Sequence, residues 1–110
     1  MASTKEYLNY VLEQLAALGD ISMRPMMGEY VLYYQEKVIG GIYDDRLLVK
    51  PTPLALRFLE EGGKEIAYDL PYPGAKELLV PDIDDRELTC RLIRTIAADL
   101  PAPKPKSKKM

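Results

Sequence analysis

Arg24, the adjacent pair Asp44-Asp45 and Lys50 are the side chains with the most chemistry to offer in this sequence. A guanidinium close to Gly28 can grip a carboxylate or phosphate through two parallel N–H bonds. Lys50 could complete such an anion site, and two neighbouring carboxylates could hold a hard cation. Each group also has a structural reading. Arg24 can form an ion pair with Asp44 or Asp45, the aspartates suit a tight turn, and Lys50 suits a solvated strand end. Two adjacent acids without further oxygen ligands make a poor metal site, so neither metal nor cofactor is expected.

Nucleophilic chemistry is thinly supplied. His is absent, which removes His-dependent triads, histidine general bases and histidine metal ligands. The single Cys90 allows no internal disulfide and no multi-cysteine metal cluster. Arg91 and Arg94 are near enough in sequence to lower its pKa, but its position beside an apolar helix stripe favours an inert, half-buried thiol. These absences point away from an enzyme.

Apolar contact is better supplied. Met26 and Met27 offer a soft, adaptable surface, and strand alternation turns one of them inward and the other outward. Eight of the nine aromatic residues are tyrosines, whose apolar body and polar tip suit half-wet interfaces. The leading expectation is a non-enzymatic regulatory or protein-interaction domain. Its partner is an unidentified protein or a second copy of the chain. The candidate binding residues are Arg24, Met26, Met27, Gly28, Tyr30, Asp44, Asp45 and Lys50. The alternative is a small-anion-binding module or enzyme built on Arg24, Asp44, Asp45 and Lys50.

The elements that must position these residues follow from pattern. Ser3 to Leu18 has helical spacing of Leu8, Val11, Leu12, Leu15 and Leu18, with a Ser3/Glu6 capping box and Gly19 at its end. Alternation and turn residues then mark strands at Ile21–Met27, Tyr30–Tyr34, Val38–Tyr43 and Arg46–Lys50, joined at Gln35-Glu36-Lys37 and Asp44-Asp45. Pro25 places the first at a sheet edge or a bulge, and Gly40-Gly41 marks a bulge or a close backbone approach. Thr52 and Pro53 open a helix that ends at Gly62-Gly63. Short strands are expected at Glu65–Tyr68 and Ala75–Val80, separated by the rigid Leu70–Gly74. A last helix begins at Asp84 with Glu87 as its capping-box partner. Its buried stripe is Leu88, Leu92, Ile93, Ile96, Ala97 and Leu100. The expected fold is α+β in two layers: an antiparallel sheet of five to six strands with helices on one face.

The chain's 110 residues make one domain, 47% hydrophobic. Four of its lysines lie in Pro101–Met110 with no acid among them, so residues 1–100 carry 11 basic against 17 acidic side chains, a net of −6. That Pro/Lys-rich tail is expected to be disordered. An acidic body is a poor ligand for phosphate backbones, so no specific nucleic-acid binding by the chain alone is expected. No apolar run reaches the roughly 18–20 residues of a membrane span, and the N-terminus lacks a signal-peptide pattern. A cytoplasmic setting is the default.

Three segments carry a resemblance. Arg24-Pro25-Met26-Met27-Gly28-Glu29-Tyr30 resembles the opening motif of the TfoX/Sxy N-terminal domain. Gly40-Gly41-Ile42-Tyr43-Asp44-Asp45-Arg46-Leu47, followed by Lys50, resembles its second motif, and Tyr72-Pro73-Gly74-Ala75-Lys76-Glu77 a third segment. The similarity spans roughly residues 4 to 100. It implies a two-layer α/β domain. In competence regulators that domain precedes a helical C-terminal domain and acts with a cyclic-AMP receptor protein. Pro101–Met110 is too short for that second domain, so a stand-alone member is expected.

Overall fold

The computed structural model describes residues 3–101. The tail expected to be disordered lies outside the described residues beyond Pro101.

The chain opens with α1, Lys5–Gln14, followed by a single 3-10 turn, Ala16–Leu18, that ends at Gly19 with φ 86°. Thr4, rather than Ser3, caps α1: its hydroxyl accepts the Tyr7 N–H at 3.1 Å. Such a cap contributes about 1 kcal/mol. Four strands follow: β1 Ile21–Met26, β2 Glu29–Tyr34, β3 Lys37–Ile42 and β4 Leu47–Val49. Each hairpin has a two-residue turn at its tip, with positive φ at Met27 and Gly28, Gln35 and Glu36, and Asp44 and Asp45. This is the left-handed turn geometry that matches the twist of a hairpin.

Helix α2, Pro53–Glu61, starts as its sequence dictates. Thr52 accepts the Ala55 N–H at 3.2 Å, and Pro53 occupies the first turn. Strands β5 Tyr68–Asp69 and β6 Leu78–Leu79 are shorter than their sequence suggests, and β5 starts three residues later than the expected Glu65. The last helix, α3 Arg86–Asp99, is capped by Asp85, which accepts the Leu88 N–H. The neighbouring Asp84, expected to be the cap, instead accepts the Tyr10 hydroxyl.

All six strands form one antiparallel sheet in the order β1-β2-β3-β4-β6-β5. β1 is therefore an edge strand, which is where Pro25 is tolerated. The register between β2 and β3 shifts at Ile39, an extra residue that turns into the core beside Gly40. Gly40 itself is fixed by space: a Cβ there would lie 2.2 Å from the Leu48 carbonyl oxygen.

The three helices cover one face. Leu8 and Val11 of α1 with Leu15 just after it, Leu59 of α2, and Leu92, Ile93 and Ile96 of α3 pack on Leu32, Ile39, Ile42, Leu47, Val49 and Leu79. Lys37 donates from Nζ to the Ala97 carbonyl at 2.9 Å, closing the C-terminal end of α3 against the β2–β3 turn. No helix among the described residues is long and apolar enough to cross a membrane.

Candidate functional site

The sheet face without helices places the candidate residues. Alternation from the β1–β2 and β2–β3 registers puts Arg24 and Met26, Val31 and Tyr33, Gly41 and Tyr43, and Leu48 on this outer face. It is not a bare surface. Val31 and Leu48 are both buried on it. Gly41 sits between them in register, and a Cβ there would come within 2.8 Å of the Tyr43 ring. The missing side chain lets Tyr43 lie down on the sheet. The loop after β5 then folds across, bringing Tyr72 to 6.5 Å from Tyr43, ring centre to ring centre.

Between this aromatic pair and the β1–β2 turn runs an apolar groove of about 330 Å³. It is lined by Met26, Met27, Glu29, Tyr30, Val31, Tyr43, Pro71 and Tyr72. Met26 is 53% exposed, Met27 98% and Tyr72 60%. Neither methionine turns inward, so the expected split between them fails: Met27 has left the strand and sits in the left-handed turn. A cleft of about 390 Å³ between α2, α3 and β6 is larger, but its apolar walls include the core residues Leu59, Leu79 and Leu92. Three exposed large apolar side chains, Met26, Met27 and Tyr72, meet in the groove on the outer face. Burial, then the charges of Tyr72 and Glu29, hold the Tyr43 hydroxyl above its ordinary pKa of 10.0. Tyr43 is thus a neutral hydrogen-bonding group at any physiological pH.

Asp44 and Asp45 do other work. The Asp45 carboxylate accepts the Thr4 N–H at 2.8 Å and the Thr4 hydroxyl at 3.3 Å. Glu29 accepts the Ser3 N–H at 3.1 Å, the Ser3 hydroxyl at 2.6 Å, and the Asp44 N–H at 3.1 Å. The Ser3 hydroxyl accepts the Asp45 N–H at 3.0 Å, and the Ser3 N–H also reaches the Gly28 carbonyl at 3.2 Å. Gly28, Glu29, Asp44 and Asp45 thus form a clasp that ties the start of α1 to two hairpin turns. The bonds satisfy N–H groups at a helix start that would otherwise lack partners.

Arg24 does not join that clasp. Its guanidinium lies over the Tyr33 ring, 6.0 Å from the centre. The two ion pairs among the described residues are Arg46–Asp69 and Arg91–Glu87, so the expected pairing of Arg24 with Asp44 or Asp45 is absent. Lys50 lies beyond the end of β4, on the far side of the sheet from β1. Three strand spacings separate the two chains, roughly 14 Å. Arg24, Asp44, Asp45 and Lys50 therefore do not converge on a common anion.

Cys90 is buried on α3, with its Sγ 3.6 Å from the Gln14 carbonyl oxygen. Burial raises its pKa despite the nearby charges of Arg94 and Arg86. The expected inert thiol is what the fold provides. No group of three or more His, Cys, Asp or Glu able to hold a metal occurs among the described residues.

The sequence pattern missed Tyr43, Pro71 and Tyr72 as groove residues and Glu29 as the centre of the clasp. Gly41 beside an aromatic and the Pro71-Tyr72-Pro73-Gly74 turn were the available signals, but neither says which strand the loop covers.

A family model described as the TfoX N-terminal domain matches residues 13–94, from within α1 to within α3. The chain is also 40% identical over 111 residues to an uncharacterized 12.7 kDa protein in the trpE 5' region of Spirochaeta aurantia. That match covers 99% of this chain and 93% of the other.

Proposed function

Because the chain belongs to the TfoX N-terminal domain family, we propose that it is a cytoplasmic protein-interaction domain whose contact surface is the apolar groove between Met26-Met27 and Tyr43-Tyr72. TfoX N-terminal domains are non-catalytic, so the reading rests on surface chemistry. One observation carries it. Met27, an unbranched apolar side chain, stands 98% exposed at the rim of a groove walled by tyrosines and a proline. Methionine and tyrosine together make an adaptable, half-wet contact surface. The clasp and the Gly41–Tyr43 packing hold the groove's walls in place without a ligand, which lowers the ordering cost of binding. Arg24, on the same face as Met26, lies beside the groove as a charged neighbour. Residues 101–110 stand apart from the folded unit of residues 1–100 in this reading.

The anion-binding alternative has no supporting geometry, since its four residues are spread over opposite parts of the sheet. The test is a quantitative comparison of proteins retained by the tagged chain in its native cell extract. Tyr72→Ala should release a specific partner that the wild type and Lys50→Ala both retain. Equal retention by all three would overturn the assignment of the groove.

A further inference from the structure

The groove has a chemical signature beyond being apolar. Tyr43 and Tyr72 face Pro71 and the two methionines, and Glu29, Asp44 and Asp45 gather at the same end of the sheet. None of the three carboxylates has a cationic partner in the ion pairs of the described residues. Tyrosine-walled grooves with an acidic flank suit proline-rich segments that carry lysine or arginine. The prolines stack on the rings in an already extended backbone, and the cations meet the acids.

This chain carries such a segment itself: Pro101-Ala102-Pro103-Lys104-Pro105-Lys106. We propose that the groove receives this proline-lysine segment of a second copy of the chain. The inference rests on the groove reading above and names its occupant. Charge supports it, since residues 1–100 carry a net −6 and the tail four lysines without an acid. In a polyproline II helix, with three residues per turn, Pro103 and Lys106 share one edge and Ala102 and Pro105 the next. Two edges then present prolines to the rings and a lysine to the carboxylates together.

The chain's own groove lies at the far end of the sheet from the end of α3. The C-terminal end of α3 is held at Lys37 through Ala97, at the end of β3 opposite Tyr43. Six strand residues separate those ends, about 20 Å, and the helix layer lies on the other face of the sheet. Docking of the proline run in trans, with reciprocal exchange of two tails, gives a symmetric dimer.

The experiment uses the full chain and a fluorescent peptide of residues 100–110. Peptide anisotropy on wild type should show saturable binding that weakens at least about tenfold on Tyr72→Ala, the size expected for an aromatic anchor. A peptide with Pro101, Pro103 and Pro105 all changed to alanine, its lysines kept, should bind at least about fivefold more weakly. In sedimentation, Tyr72→Ala and Pro103→Ala/Pro105→Ala should each weaken self-association. Mixing the two variants should restore one interface, because one supplies the tail and the other the groove. Equal binding of both peptides, or no saturable binding, would overturn the proposal. Dissociation caused by Tyr72→Ala but not by the proline changes would overturn the tail as occupant while leaving the groove reading standing. Self-association, or retention of a partner, indifferent to Tyr72→Ala would remove both.

Discussion

Replacing Met27 with Asn should make this protein more stable while impairing its binding surface. Met27 holds φ 53° as the first residue of a two-residue hairpin turn and is followed by Gly28 at φ 86°. An L-residue in the left-handed region costs on the order of 1 kcal/mol, and Asn is among the few side chains that occupy it readily. Asn-Gly is also the favoured pair for this turn. Met27 is 98% exposed, so removing its side chain forfeits almost no buried area. The expected gain is about 0.5–1 kcal/mol, or roughly 3–6 °C in Tm for a domain of this size. Thermal unfolding by circular dichroism, with Met26→Asn as control, measures it. Met26 lies in the extended strand β1, where Asn gains nothing and is a poorer strand former, so its Tm should stay level or fall. Partner binding should weaken about fivefold in Met27→Asn through loss of roughly 1 kcal/mol of apolar contact. A Tm that falls or stays unchanged in Met27→Asn would refute the argument that this turn stores strain to hold an apolar side chain in solvent.

Gly40→Ala should cost more than about 2 kcal/mol, because its Cβ would meet the Leu48 carbonyl at 2.2 Å; a urea midpoint near wild type would contradict this. Glu29→Ala should cost about 1–3 kcal/mol through loss of its bonds to the Ser3 and Asp44 N–H groups, and hydrogen exchange should show those amides losing protection first. Arg46, then the Leu70 N–H, holds the Asp69 carboxyl below its ordinary 3.8. A carboxylate lowered in the folded state adds stability above its unfolded pKa and loses it as pH falls through the folded value. The urea midpoints of wild type and Asp69→Asn should therefore differ by a constant amount above about pH 5 and converge as pH falls below 3.8; a gap that persists at low pH would contradict the sign.

Local chemistry made much of the fold legible. Thr52-Pro53 marks the start of α2 because capping acts within one turn, and Gln35-Glu36 and Asp44-Asp45 mark hairpins because two-residue connections have few options. The apolar spacing of α1 and α3 is likewise visible within their own lengths. β5 and β6 were misplaced because two-residue strands have no period to detect; β6 exists by pairing with β4, and β5 by pairing with β6. The clasp was invisible for a different reason. Ser3 and Glu29 are 26 residues apart, and Thr4 and Asp45 are 41, so no local pattern links them. The helix capping box expected at Ser3 gave way to these long-range bonds. Arg24 was expected to seek an acid, yet register sets it across from Val31, one pair from Tyr33, where its guanidinium lies over the Tyr33 ring. The groove depends on Tyr43 meeting Tyr72, and sequence alone does not say over which strand the loop after β5 folds.

The most direct test of the groove as the working surface is photo-crosslinking in living cells, with a benzophenone amino acid placed singly at Met27, Tyr72, Lys50 and Glu60. Lys50 and Glu60 lie away from the groove, at the end of β4 and on α2. The groove account expects discrete adducts of one mass from Met27 and Tyr72, and none from Lys50 or Glu60. Adducts from Lys50 or Glu60 alone, or the same adducts from all four positions, would contradict it.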